Sequence, residues 1–180
     1  MQFVPKDQTY GKVYFPKIEL SKDIKGILLD IDNTLYSYDE CHKIAMESVK
    51  SKLQSTIDIS DLDFKDIYNK NRKRVNVDLN NQAASHSRLI YFQKVVEEIF
   101  GKSDLALILE LEKAYWDSFL DNMELLENVY EFLEKCQKEK VKICIITDLT
   151  AEIQIKKLLK LNISSFIDFL VTSEEAGVEK

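Results

Sequence analysis

Between Gly26 and Glu40 the chain reads GILLDIDNTLYSYDE, an apolar run that ends abruptly in Asp30 and Asp32. Short, continuous Ile/Leu/Val runs of this kind suit a parallel strand buried on both faces, where alternation would mark a strand with one wet face. Two further runs match it, VKICIIT from Val141 and FIDFLVT from Phe166. Between these two, AEIQIKKLLKL sets Ile155, Leu158 and Leu159 at helical spacing. Ahead of Val141, the spacing of Val129, Phe132, Leu133 and Cys136 predicts a second amphipathic helix. This order of strands and helices specifies the α/β class, a doubly wound, Rossmann-like parallel sheet with three core strands.

The interval from Asp39 to Asp121 has a different character, with helical patterns and no strand candidate. Ile44, Val49 and Leu53 mark one helix. Leu89, Phe92, Val96 and Ile99 mark another, closed by Gly101. Leu105, Ile108, Leu109, Trp116 and Phe119 mark a third, with Ser103 as its expected N-cap. The chain therefore divides into an α/β core at 25–38 and 122–180 and an all-α insertion at 39–121. Residues 1–24 are an N-terminal extension without assignable structure.

Composition narrows the function. With 180 residues and 45% hydrophobic content, the chain can bury one sizeable core. A net charge of −6, with only the short basic knot Lys70 to Arg74, argues against a nucleic-acid partner, which needs many cations to neutralise phosphates. Cys41, Cys136 and Cys144 form neither a metal-ligand spacing nor a complete disulfide set, which fits a reducing cytoplasm. No segment approaches the ~20 apolar residues of a membrane span, and the N-terminus lacks a signal-peptide core. Cys144 lies inside a strand and is expected in the core.

Ligands of open α/β sheets bind beyond the carboxyl ends of the strands, which is where Asp30 and Asp32 fall. Side chains two positions apart in an extended chain point to the same side, so both carboxylates address one volume. Like charges so placed repel, and the arrangement calls for a cation between them or a proton on one. The pattern D-x-D-x-T arises by chance roughly 0.04 times in a chain of this composition. Asp61 and Asp63 repeat the spacing without a preceding strand and read as helix-capping residues. A calcium loop is excluded because NTLYSYDE lacks its glycine and later spacing. A metal site for a nucleotide sugar, as in some glycosyltransferases, stays open as a distant reading.

DIDNTLY after an apolar strand resembles the first signature of the haloacid dehalogenase superfamily. ICIITD, ending its strand in Thr147, resembles the second, and TSEEAGVEK, with Lys180 in register, the third. The likeness spans residues 22–180, and the insertion resembles the helical cap of one subclass. It implies a phosphatase in which Asp30 attacks phosphorus to form an aspartyl-phosphate. Asp32 would protonate the leaving oxygen and then deprotonate the attacking water. Magnesium (Mg2+) would bind the Asp30 carboxylate and the backbone carbonyl of Asp32. Thr147 would grip phosphoryl oxygens and Lys180 would balance their charge. Asp32 favours a phosphate ester, since expelling halide needs no acid.

Two departures qualify the likeness. Asp148 stands where many relatives carry Asn or Ser; it faces the phosphate or caps the next helix. Relatives also continue past the third signature with further strands and an acidic fourth signature. The expectation is therefore weakened magnesium binding and an open edge on the first strand, completed by another chain or a second copy. The expected substrate is a small phosphorylated metabolite, with a sugar phosphate favoured and a nucleotide monophosphate as the alternative. A non-catalytic binding or regulatory fragment is the rival from another class. In the insertion, His86, Arg88 and Tyr91 suit a sugar hydroxyl or carboxylate, or else form a solvated helix face.

Overall fold

The computed structural model describes residues 23–80 and 82–180, so the extension expected at 1–24 lies almost wholly outside the described residues. Three parallel strands, β1 (Gly26–Leu29), β2 (Lys142–Thr147) and β3 (Phe169–Thr172), form a sheet in the order β1-β2-β3. Register pairs Leu28 with Cys144 and Cys144 with Phe169, and places Leu29, Ile145 and Leu170 in the next row. Four helices follow β1 before the chain returns to the sheet: α1 (Tyr38–Gln54), α2 (Asp61–Asp78), α3 (Arg88–Phe100) and α4 (Leu105–Asp121), with a 3-10 turn at Ala83–His86. The chain returns to the sheet through α5 (Val129–Lys138), α6 (Ala151–Lys160) and the short α7 (Ser173–Ala176).

The sheet is the expected α/β, Rossmann-like parallel core of three strands, and among the described residues its helices cover one face for a topological reason. Both steps, β1 to β2 and β2 to β3, run in one direction across the sheet, and right-handed crossovers then put α5 and α6 on the same face. That face carries Ile27, Leu29, Ile143, Ile145 and Leu170, packed into one core with Leu133, Cys136 and Leu158. The opposite face is uncovered among the described residues: Leu28 is 70% exposed and Phe169 64%. Cys144 belongs to this second face and is half-buried, not core. The continuous apolar runs that signal burial on both faces are thus buried on one. Among the described residues β1 also pairs only with β2.

The helical segment packs around an aromatic centre in which Tyr91, Phe92, Tyr115 and Phe119 are fully buried. Tyr115 stacks on Phe119 and meets Trp116 edge-on. Three expectations need correction here. The capping reading of Asp61 and Asp63 marks the start of α2, but no apolar pattern marks its body: its sequence is polar, and its inward stripe of Phe64, Tyr68 and Val75 is completed by an asparagine, Asn71. In α4 the buried stripe is Leu107, Ile108, Leu111, Tyr115, Trp116 and Phe119, leaving Leu105 and Leu109 exposed. The N-cap of α4 is Asp104, whose carboxylate accepts from the Leu107 amide at 3.1 Å, while Ser103 donates its hydroxyl to Glu97. Asp104→Ala is therefore expected to lower stability by about 1 kcal/mol, and Ser103→Ala by less than about 0.5 kcal/mol, measured by urea unfolding. Gly101, at φ 69, closes α3 in the left-handed conformation that its missing side chain permits. Asp61 and Asp63 do open a helix, but Ser60 is the cap and Asp63 answers it reciprocally.

Candidate active site

Asp30 follows β1 directly, and Asp148 follows β2, so both stand at the carboxyl edge of the sheet. Lys180 ties them together. Its ammonium contacts Asp30 Oδ1 and donates to the Ile146 carbonyl, while its backbone N–H donates to Asp148 Oδ1 at 3.0 Å. Asp30 and Lys180 side chains are each 37% exposed, open to an incoming ligand. Asp148 does not cap α6, whose N-cap is Thr150. Thr147 is buried, and its hydroxyl accepts from Gln154 Nε2 at 2.7 Å, so it is turned inward. The backbone is left-handed at Asn33 (φ 57) and Leu149 (φ 88), on the two loops that carry Asp32 and Asp148. For a leucine this conformation is strained by about 1–3 kcal/mol, a kind of strain that clusters at functional sites.

Asp32 has a different set of partners. Lys157 Nζ donates to both its oxygens, at 2.7 and 3.0 Å, and the Tyr36 hydroxyl donates to Oδ1. Asp32 is 27% exposed and Lys157 0%; the ammonium lies within 6 Å of the ring centres of Tyr36, Tyr38, Trp116 and Phe119. Burial pushes the Lys157 amine below its usual value, against the pull of Asp32. Burial, reinforced by the Asp32 carboxylate, pushes the Tyr36 phenol far up, so it stays a donor. The two aspartates are thus neutralised separately, each by its own lysine. The sequence reading allowed one shared cation or one proton and found neither Lys157 nor Tyr36. In α6 Leu158 is buried as expected, but Ile155 and Leu159 are exposed, and Gln154 and Lys157 share the buried face with Ile153 and Leu158.

The helical segment closes over this edge. A cavity of about 230 Å³ is lined by Asp32 and Asp148 below and by Arg72, His86 and Arg88 above. Glu179 reaches up to the Ser85 hydroxyl and to His86 Nε2, the latter at 3.1 Å. Arg88 and Tyr91 are buried, which removes the solvated-face reading for both; the Tyr91 hydroxyl props the turn by donating to the Ser85 carbonyl. Beside them His42 bonds the Tyr115 hydroxyl at 2.7 Å, and burial, helped by Arg88 and Arg72, pushes it down to about 4. Unfolded His42 takes up a proton below about 6.5, and folded His42 does not until about 4. Stability from this group is full above pH 6.5 and is lost as pH falls toward 4, on the order of 1–3 kcal/mol. Urea unfolding at pH 7.5, 5.5 and 4.5 should show this slope, and His42→Gln should flatten it.

A family model described as haloacid dehalogenase-like hydrolase matches residues 27–180. The chain belongs to that family. Among haloacid dehalogenase-like relatives, a ribulose-1,5-bisphosphate 5-phosphatase of Halopiger xanaduensis is 36% identical over 86% of this chain and 65% of its own length. A glyceraldehyde 3-phosphate phosphatase of Methanocaldococcus jannaschii is 30% identical over 87% of this chain and 65% of its own length. The chain therefore spans about two thirds of the length of these curated relatives. The fold is shared with the magnesium-bound HAD-hydrolase YfnB of Bacillus subtilis, at a TM-score of 0.62 and 17% identity, covering 87% of this chain and 68% of that one. Among the described residues, no helix is long and apolar enough to cross a membrane.

Magnesium takes one or two carboxylates and fills its octahedron with water and substrate phosphate. The Asp30 carboxylate and the Asp32 backbone carbonyl are donors of that type. Among the described residues, no three His, Cys, Asp or Glu side chains converge on a metal position.

Proposed function

We propose that the chain hydrolyses a small sugar phosphate monoester, with Asp30 as nucleophile. The observation that carries this reading is the pairing of a half-exposed Asp30 with the Lys180 ammonium at the carboxyl edge of the sheet, beside a roofed cavity that contains Asp32. Asp30 attacks phosphorus, the bond to the ester oxygen breaks, and Asp32 in its protonated form delivers that proton to the departing alkoxide and becomes the carboxylate. Water then attacks the aspartyl-phosphate, gives its proton to Asp32, and releases phosphate with Asp30 restored. Lys180 stabilises the charge on the transferring group. Hydrogen bonds from Lys157 and Tyr36 hold Asp32 as an acceptor, the role of the second half-reaction. Magnesium, held by Asp30 and the Asp32 carbonyl, would neutralise phosphoryl charge when bound. The named substrates of the two relatives, a ribulose bisphosphate and a glyceraldehyde phosphate, support a sugar phosphate over a nucleotide.

Beryllium trifluoride with magnesium mimics an aspartyl-phosphate, and a site that forms one should bind the pair. The expected result is a rise in Tm of about 5–10 °C at saturation, seen with the two together and not with either alone. No shift overturns the proposal. A second reading is a phosphate-binding module without turnover. It predicts the same Tm shift without steady release of phosphate from any ester.

A further inference from the structure

Arg88 is 6% exposed, yet none of the ion pairs among the described residues includes it. Its guanidinium rests on neutral groups. Nη1 donates to the His86 carbonyl at 2.6 Å, Nη2 donates to the Tyr38 hydroxyl, and the rings of Tyr91, Tyr115 and Trp116 lie 5.3 to 5.9 Å away. Nε is buried without a hydrogen-bond partner among the described residues. A charge taken out of water is normally matched by an opposite charge, because desolvation alone is costly. Arg88 lacks that match, and it lines the cavity that holds Asp32.

The surroundings sharpen the chemistry. Arg72, exposed on α2, lines the same cavity and also forms no ion pair among the described residues. Arg88 is the first residue of α3, so the positive end of that helix lies at the cavity wall. Of the carboxylates below, Asp32 is answered by Lys157, while Asp148 keeps its charge and accepts a hydrogen bond from the neutral Lys180 N–H. His86 is answered by Glu179. Two arginines then face the single Asp148 carboxylate, which leaves surplus positive charge beside a site that already handles one phosphate at Asp30. A neutral sugar tail would leave that charge unmatched.

We infer that the substrate carries a second anionic group, a phosphate or a carboxylate, received by Arg88 and Arg72 while the ester phosphate lies at Asp30. This rests on the phosphatase reading and narrows it to doubly anionic metabolites. The cavity, smaller than the ~300–1,000 Å³ of drug-sized sites, suits a short carbon chain between the two anions. Arginine suits either anion, since its planar fork meets two oxygens at once.

The test compares three probes on the full chain with magnesium present: glycerol 3-phosphate, with one anionic group; 3-phosphoglycerate, adding a carboxylate; and 1,3-propanediol bisphosphate, adding a phosphate. Calorimetry should show one or both doubly anionic probes binding at least tenfold more tightly than glycerol 3-phosphate, and the preferred one identifies the second group. Arg72→Gln, at an exposed position that cannot upset folding, should cut that ratio at least threefold, and Arg88→Met should bring it to about one. Comparable binding of all three probes overturns the second-anion site and leaves the phosphatase reading standing, as does a ratio untouched by Arg72→Gln. No binding of any probe overturns both.

Discussion

Asp30→Asn is expected to lower steady hydrolysis of phosphate monoesters by more than about 10⁴-fold, the scale on which loss of a covalent nucleophile is felt. The amide nitrogen cannot displace the ester oxygen, while the geometry around it survives. Asp30 and Lys180 are both over a third exposed, so the pair is solvent-screened and its loss changes stability little, within about 1 kcal/mol. An unchanged Tm with turnover abolished is the signature of a chemical role. The same variant should lose the Tm rise given by magnesium with beryllium trifluoride. Residual turnover within tenfold of the parent would exclude Asp30 as nucleophile and move the chemistry to an activated water.

Asp32→Asn should behave in the opposite way and destabilise the fold by about 3 kcal/mol, because it strands the Lys157 ammonium in a site with no access to water. Lys157→Met should change stability by no more than about 1 kcal/mol. It removes the ammonium whose burial is unfavourable, and it leaves Asp32 partly exposed with the Tyr36 hydroxyl still bonded. The double variant should regain most of the loss, since replacing both partners of a buried pair by groups of similar volume is often neutral. A pH dependence accompanies the single Asn variant. Unfolded Lys157 holds its proton up to about 10.5, and folded Lys157, already pushed down by burial, loses it sooner without Asp32. The unfolded state then binds more protons, so the deficit shrinks as pH rises toward 10.5. Urea unfolding of the four proteins at pH 7 and 9.5 decides this. Equal losses for the two single variants would mean that Lys157 is held by net attraction and not trapped by Asp32.

The strands were legible in the sequence because a short run of Ile, Leu and Val leaves few options. The aspartate pair was legible because the two residues lie next to one another at a strand end. The amphipathic patterns located α1, α3, α4, α5 and α6, yet in α4 and α6 they took in positions that are exposed, Leu105 and Leu109 in the first and Ile155 and Leu159 in the second. In α6 the reason is chemical. Apolar Ile155 and Leu159 would ordinarily claim the core, but Gln154 and Lys157 share the buried face with Ile153 and Leu158, and bond Thr147 and Asp32. Only the start of α2 was legible, through its acidic first turn; its body was not for the same kind of reason, with Asn71 bonding Glu98 at a position where periodicity expects an apolar residue.

What the sequence determined by itself is local: three strands, most of the helices, and two carboxylates carried to one edge, each fixed by contacts between near neighbours in the chain. Only the tertiary structure decided how those charges are answered. Lys157 lies 125 residues from Asp32, and Tyr38 lies 50 from Arg88. No spacing rule links partners so far apart, because the pairing is made by helices packing across the sheet and by the burial that excludes water from both.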